Sequence, residues 1–271
     1  MNPNQALWEQ GDFTRIARTM RGSGRELVGR LAVGPGLRVL DLGSGDGTTA
    51  IPAAVLGAEV VAVDIARNLV EAGNQRARDT GLTNITFQHG DARDLVYHGD
   101  DEFDRVVSIF GAMFAPEPHR VAKEMVRVTR PGGTITMGNW IPGDPTLVSQ
   151  ILKVSAAYTP PPPEGFVSPV AWGVEEHVVD RFTAAGVAAE RIVSERDTWV
   201  FEADCPATEF LGEFRTWYGP TMNAFTAAEA DGRAEELWDE LATLFKEHNL
   251  SEDPEHTTRI AATYLRVTVY V

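Results

Sequence analysis

The sequence predicts an α/β protein built on a doubly wound, mostly parallel sheet of seven strands. Two observations support this fold class. Between residues 37 and 140, short apolar segments typical of buried parallel strands alternate with helical segments. The chain then ends in residues 263–271, where polar and apolar residues alternate as in a half-buried antiparallel strand. We therefore expect right-handed crossovers between parallel strands, and an antiparallel last strand near one edge of the sheet.

The first 140 residues supply the predicted core of this sheet. Residues 1–34 have an irregular apolar face that indicates helices, and Gly34-Pro35-Gly36 ends them. A turn is predicted at residues 130–133, where the sequence is Arg-Pro-Gly-Gly. The predicted strands cover residues 37–42, 59–64, 84–89, 103–110 and 134–140, and the helices between them cover residues 48–56, 68–80 and 119–129.

After residue 140 the regular alternation is interrupted twice. Residues 141–174 are rich in proline, and the four prolines at 160–163 are expected to be extended because proline cannot continue a helix. Further predicted elements are a helix at 174–185, a sixth strand at 191–201 and a helix at 229–248. We interpret residues 1–271 as a single domain, in which residues 1–34 are amino-terminal helices, residues 35–140 form the core, and residues 141–174 and 206–249 are helical lid insertions that contact the substrate.

Composition excludes several function classes. The 271 residues include 24 Lys and Arg against 39 Asp and Glu, a net charge of −15 that repels phosphate backbones and disfavours a nucleic-acid substrate. The one cysteine cannot form an intrachain disulfide, which favours a reducing, cytoplasmic location. No apolar run of about 18 residues or secretory leader is visible, so we expect no membrane association. We expect no metal, because no cluster has ligand spacing, and a monomer or homodimer.

The most informative segment is the glycine-rich turn after the first strand. Asp41-Leu-Gly-Ser-Gly-Asp-Gly47 joins a predicted strand to a helix, which is where ligands bind in an open α/β sheet. The dinucleotide fingerprint G-x-G-x-x-G does not match, because the glycines are spaced two and two and Thr48 stands where the third glycine belongs. The phosphate-binding Gly-Lys-Ser/Thr is also missing. An acid before the turn suits a cationic ligand better than a pyrophosphate.

Two further acids follow the next strands. Asp64 ends the second strand, where a carboxylate can accept both hydroxyls of a ribose, and Asp91 follows the third. A single acid at such a position is often only a helix cap. Together, three carboxylates at neighbouring strand ends predict a site for an adenosine with a positively charged appendage.

At this point the sequence resembles a known family. The ordered motifs D-L-G-S-G-D-G-T, V-A-V-D-I-A, G-D-A-R-D-L, F-D-R-V-V-S-I-F and R-V-T-R-P-G-G look like those of class I S-adenosylmethionine-dependent methyltransferases, which have a Rossmann-like fold. The resemblance is closest to the ubiquinone/menaquinone-biosynthesis-like group. It implies S-adenosyl-L-methionine as the cofactor and S-adenosyl-L-homocysteine as its product.

The resemblance also implies which residues bind the cofactor. Asp41, Gly43 and Gly45 would contact the methionine part, and Ser44 stands where many members have cysteine. Asp64 would hold the ribose hydroxyls. The remaining positions are Ile65, Asp91 and Ala92 at the adenine, and Ser108 to Phe110 beneath the methionine part. The extra acid Asp46 has no assigned role.

The predicted reaction is methyl transfer to oxygen or nitrogen of a small organic acceptor. In-line displacement at an activated methyl needs mainly proximity and alignment, so no catalytic residue is assigned. The alternatives are carbon methylation of a quinone-type ring and a noncatalytic cofactor-binding module. The candidate substrate contacts are aromatic or apolar residues, each of which could instead fill the core of the lid: Trp8, Phe13, Met113, Phe114, Trp140 and Trp172.

Overall fold

A single mixed sheet forms the centre of the protein. The computed structural model describes residues 4–162 and 165–271, and within these ranges seven strands are ordered β3-β2-β1-β4-β5-β7-β6. β7 runs antiparallel to both of its neighbours and the other six strands are parallel to one another, which confirms the predicted fold class. The strands are β1 (Arg38–Leu42), β2 (Glu59–Asp64), β3 (Ile85–His89), β4 (Phe103–Ile109), β5 (Thr129–Trp140), β6 (Ile192–Ala203) and β7 (Thr258–Tyr270).

Helices cover both faces of this sheet. They are α1 (Asn4–Glu9), α2 (Thr14–Ala17), α3 (Arg21–Arg30), α4 (Ala50–Val55), α5 (Arg67–Asp79), α6 (Pro118–Val128), α7 (Leu147–Ala156), α8 (Glu175–Ala184), α9 (Ala207–Trp217), α10 (Gly219–Ala230) and α11 (Ala234–Glu247). Short 3₁₀ turns include Arg18–Met20 and Ala112–Phe114. Four of the five residues of β1 are buried because both of its faces are covered, which explains the continuous apolar run in the sequence.

The strand order places a crevice at the carboxyl ends of β1, β2 and β4. β1 pairs with β2 on one side and β4 on the other, with Asp41 opposite Ala62 and Val107. The chain therefore leaves β1 at the point where the order of strands reverses, and the loops on either side diverge. The glycine-rich turn and Asp64 both lie at this edge.

The structure differs from two of the predicted elements. The predicted turn at residues 130–133 is wrong, because β5 begins at Thr129 and continues through a register shift, with Gly132 and Gly133 bonded to Val271. The predicted helix 229–248 is two helices, broken at Gly232, which has φ of 70°. Residues 1–3 of the predicted amino-terminal helices, and Pro163 of the proline tract, lie outside the described residues.

In the two described ranges, no helix has both the length and the apolar character needed to span a bilayer.

Candidate functional site

Three left-handed glycines shape the turn after β1. Gly43, Gly45 and Gly47 have φ of 71°, 56° and 92°, a region that glycine adopts without steric cost. The backbone N–H of Gly43 donates to the carbonyl of Val63 on β2 at 2.8 Å. A Cβ added to Gly43 would lie 2.6 Å from the Cα of Gly111, so this loop touches the segment that follows β4. The turn is thus fixed against both neighbouring strands.

Asp64 lies beside the glycine loop at the end of β2. Its carboxylate accepts N–H hydrogen bonds from Gly45 and Ala66, both at 2.8 Å, and the residue is 8% exposed. Burial raises the pKa of Asp64, while the backbone donors and the nearby His89 oppose this shift. A carboxylate has about four lone-pair directions, so Asp64 keeps acceptor capacity for a ligand's hydroxyls.

These elements border one continuous cavity. It encloses about 930 Å³ of empty space, part of it open to solvent. Toward β2 and β3 its wall holds Asp64, Ile65 and Ala92, and toward β4 and β6 it holds Phe110 and Trp199. Its mostly apolar lining with a few polar groups is typical of sites for cofactors and small molecules.

Seven of the ten residues predicted to bind the cofactor line this cavity. They are Gly43, Ser44, Gly45, Asp64, Ile65, Ala92 and Phe110. Asp64 ends β2 and the other six follow β1, β2, β3 or β4, as expected if the site lies along the carboxyl edge of the parallel strands.

The other three, Asp41, Asp91 and Ser108, are not placed in the cavity wall. Asp41 is buried behind the glycine loop, where the Thr49 hydroxyl donates to its carboxylate. Ser108 is buried too, and its hydroxyl donates to the carbonyl of Leu42 and accepts the N–H of Ala112 at 2.9 Å. The carboxylate of Asp91 lies 2.8 Å from the guanidinium of Arg93. Through these hydrogen bonds, Asp41 and Ser108 stabilise the segments that form the cavity wall.

The predicted substrate residues divide in the same way. Trp8, Phe13 and Phe114 line the cavity. The other three, Met113, Trp140 and Trp172, are at most 4% exposed and pack in the apolar core instead. Their apolar side chains stabilise the fold more when they are packed there than at an open rim.

The aromatic wall contains one strained residue. Phe110 has φ of 59°, a conformation that costs a bulky residue of the order of 1–3 kcal/mol. Its ring stacks on Trp140 with centroids 3.7 Å apart, and Trp199 and Tyr264 contact it edge-on at 5.1 and 5.2 Å. This packing fixes the ring of Phe110 in the cavity wall. Trp140 therefore contributes to the shape of the wall through its contact with Phe110.

Comparison with known proteins assigns the family. Residues 39–133 match the family model described as a methyltransferase domain. The protein is similar to an uncharacterized protein of Mycobacterium tuberculosis, with 34% identity over 243 residues that cover 86% of each chain. It is also similar to demethylmenaquinone methyltransferase of Clavibacter sepedonicus, with 41% identity over 108 residues that cover 39% of this chain and 43% of that one. The chain belongs to the class I S-adenosylmethionine-dependent methyltransferases.

A solved structure supports the methyltransferase fold. Phosphoethanolamine N-methyltransferase 2 of Haemonchus contortus, in complex with phosphomonomethylethanolamine and S-adenosylhomocysteine, superimposes with a TM-score of 0.57 at 16% identity. The match covers 92% of this chain and 52% of that chain. Such low identity shows a shared fold and leaves the substrate open.

The cavity of this methyltransferase fits its cofactor, S-adenosylmethionine. Gly45 leaves room for a ligand beside the loop. A Cβ placed on Gly45 would point into the space between the loop and the ring of Phe13, which it would approach to 3.7 Å. Asp64 offers acceptors for hydroxyls, and Ile65, Leu69 and Ala92 offer apolar surface for a purine. A nucleoside, with the flat faces of its base against apolar side chains and the hydroxyls of its sugar near a carboxylate, matches this arrangement.

Sequence reasoning missed part of the wall. Met20, Leu69, Gly111 and Trp199 line the cavity and were not among the candidates. Gly111 could have been found, because it directly follows the candidate Phe110. Nothing in the sequence brings Trp199 of β6 to the site, because that contact depends on which way a distant strand faces. Among the described residues there is no cluster of three or more His, Cys, Asp or Glu that could hold a metal.

Asp41 gives the methyltransferase a pH-dependent stability. Burial, together with the charge of Asp64, raises the pKa of Asp41 from 3.8 to about 7. The folded state therefore binds the proton of Asp41 more tightly than the unfolded state does. The stabilisation that this protonated carboxyl contributes is fully present below about pH 4 and is lost as the pH rises toward about 7. Asparagine at position 41 does not titrate, so we expect Asp41→Asn to keep its stability as the pH rises. The difference in free energy of unfolding between this variant and wild type should grow by about 2 kcal/mol from about pH 5.5 to about pH 7. Urea unfolding across this range measures it, and a difference independent of pH would contradict it.

Proposed function

We propose that this methyltransferase methylates oxygen or nitrogen of a small organic acceptor. One observation carries the proposal: a single cavity joins the glycine loop and Asp64 at one side to a wall of aromatic rings at the other. A donor of methyl groups and an apolar acceptor can therefore lie next to each other in one cavity, and together they would displace water from it.

The residues of the wall have distinct roles in this proposal. Gly43, Ser44 and Gly45 hold the methionine part of S-adenosylmethionine, and Asp64 accepts from the ribose hydroxyls. Ile65 and Ala92 pack against adenine, with Asp91 beside them. When bound, the cofactor supplies an activated methyl group. The chain's own task is to orient the acceptor's nucleophilic atom toward that group and to keep water away, which proximity alone accelerates strongly.

The acceptor side belongs to the amino-terminal segment and the segment after β4. Trp8 on α1 contacts Phe114 with ring centroids 4.8 Å apart and Phe13 at 5.6 Å, in edge-to-face geometry. The ring of Tyr218, at the junction of α9 and α10, also packs on Trp8 and Phe13. In this proposal the chain is a single domain, in which residues 1–34 are amino-terminal helices and residues 141–174 and 206–249 are the lid insertions. The net charge of −15 favours a small molecule over nucleic acid, and the single cysteine favours the cytoplasm.

A second candidate function is carbon methylation of a quinone-type ring. The observation that favours it is the 41% identity to demethylmenaquinone methyltransferase over 108 residues. That match covers less than half of either chain, so it leaves the acceptor side of the cavity untested. An aromatic wall accepts a quinone-type ring as well as other flat molecules.

One assay separates these functions. The protein is incubated with methyl-labelled S-adenosylmethionine and a panel of phenols, amines, thiols and naphthoquinols, and each methylated product is identified by mass spectrometry. Methylation on oxygen or nitrogen supports the proposal, whereas methylation only on ring carbon supports the second candidate. Calorimetric binding of the cofactor with no product from any acceptor would favour a noncatalytic module.

Trp8 allows a prediction about the acceptor side. We expect Trp8→Ala to raise KM for the acceptor about tenfold, the size of one lost aromatic contact, and to change KM for S-adenosylmethionine much less. Gln5→Ala on the same helix is the control, because the Gln5 side chain donates to the exposed Glu9 and is not part of the described cavity wall. Equal changes in both KM values would indicate that Trp8 covers the cofactor instead of the acceptor.

A further inference from the structure

The glycine loop carries an acid to which the proposed reaction assigns no role. Asp46 lies between Gly45 and Gly47, lines the cavity and is only 1% exposed. Its carboxylate lies 2.9 Å from Nη2 of Arg21 and 3.3 Å from Nη1 of Arg76. The same Nη1 also donates to the backbone carbonyl of Asp46. Two guanidinium groups therefore hold both the side chain and the backbone of one loop residue.

The two arginines come from different sides of the loop. Arg21 begins α3 and directly follows Met20, which lines the cavity. Arg76 lies on α5, the helix that follows Asp64 and β2. Asp46 thus connects the amino-terminal segment, the glycine loop and the helix after the second strand through one buried carboxylate.

We propose that Asp46 is a positioning residue, which together with Arg21 and Arg76 fixes the glycine loop in the conformation that binds the cofactor. The proposal rests on the proposed cofactor site. A turn with glycine on both sides of Asp46 has many accessible backbone conformations, and binding would otherwise have to order it. Holding the loop in place beforehand removes that cost from the binding step.

The loop's position matters for Asp64 as well. The Gly45 N–H donates to the Asp64 carboxylate at 2.8 Å, so a displaced loop withdraws a donor that orients Asp64. Asp46 therefore acts on the cofactor through its neighbours. Its effect should reach the nucleoside part of the ligand and not only the amino-acid part.

The test measures the affinity for S-adenosylhomocysteine by calorimetry, first for the wild-type protein. Absence of wild-type binding would overturn the proposed cofactor site itself. If the wild type binds, we expect Asp46→Asn to raise Kd about 10–100-fold, as when a partner that orients a binding group is removed. The longer acid in Asp46→Glu keeps the charge and should recover part of the affinity.

Asp104→Asn is the matched control. Asp104 is 2% exposed, accepts the N–H of Arg38 at 2.7 Å and pairs with Arg130. It lies at the start of β4, on the opposite edge of the sheet from the cavity. Both variants remove the charge of one buried carboxylate bound to arginine, but only Asp46→Asn should change Kd. An unchanged Kd in Asp46→Asn, or an equal increase in both folded variants, would overturn the proposal.

A second ligand separates positioning from direct contact. 5′-Methylthioadenosine contains the nucleoside and sulfur but lacks the amino-acid group. If Asp46 positions the loop, Asp46→Asn raises Kd for both ligands by similar factors. A loss confined to S-adenosylhomocysteine would show direct contact with the amino-acid end and would overturn the positioning role. Arg21→Gln combined with Asp46→Asn should weaken binding no more than the worse single variant, because the groups act as one cluster.

Discussion

Gly45→Val is expected to abolish binding of S-adenosylmethionine and S-adenosylhomocysteine. Gly45 has φ of 56°, and a Cβ built there points toward the ring of Phe13 at 3.7 Å. The Cβ alone would fit, but the two additional methyl groups of valine would fill the gap between the loop and Phe13, which is the space proposed for the ligand. We expect Kd to rise by more than about 100-fold, which corresponds to about 2.7 kcal/mol.

A control must separate this steric effect from backbone strain. A β-branched residue is strained at positive φ wherever it occurs. Gly81 has φ of 69° at the end of α5, and a Cβ there meets nothing within 4 Å. Gly81→Val therefore introduces a similar strain away from the cavity and should bind the cofactor like the wild type. Calorimetry on both variants below their unfolding temperatures decides the matter, and near-normal affinity in Gly45→Val would mean that the ligand does not occupy this space.

The fold could be predicted well because its signals are local. The apolar run before Gly43 and the strand that ends in Asp64 each reveal a buried parallel strand followed by a loop, and the parallel strands of such a unit place their carboxyl ends at one edge. The site residues on this edge could be predicted for the same reason. The polar and glycine positions that follow β1, β2 and β3 lie close together whatever the details of packing.

The aromatic residues were harder to place because their position depends on packing. Trp140 ends β5 at the correct edge, yet its ring stacks against Phe110 and is 4% exposed. Trp172 packs on Phe182 and lies under the guanidinium of Arg181, away from the cavity. A sequence shows that such residues are large and apolar, but not which of them the helices cover. Trp199 illustrates the converse, because it reaches the cavity from the edge strand β6.

Asp41 and Asp64 show why similar acids at neighbouring strand ends have different roles. Both are nearly buried, and burial is the main cause that raises the pKa of each. Asp64 lines the cavity, whereas Asp41 lies behind the loop and is bonded to Thr49. The sequence pattern treats the two alike, because the distinction depends on which side of the glycine turn each carboxylate faces.

The cofactor assignment predicts a large effect for Asp64→Ala. Removing the carboxylate takes away the proposed acceptor for the ribose hydroxyls and the acceptor that now binds the N–H groups of Gly45 and Ala66. We expect cofactor binding to weaken by about 1–3 kcal/mol, the cost of leaving buried hydrogen-bonding groups unsatisfied. Asp64→Asn is the matched variant, because it keeps the size and one acceptor oxygen and should lose less affinity for the cofactor.

Asp64→Ala also removes the charge that helps to raise the pKa of Asp41, so the pH at which Asp41 loses its proton should fall. Calorimetry with S-adenosylhomocysteine and urea unfolding against pH measure the two effects separately. Unchanged affinity in folded Asp64→Ala would refute the ribose assignment, because no other acidic residue in the described cavity wall lies at the end of β2.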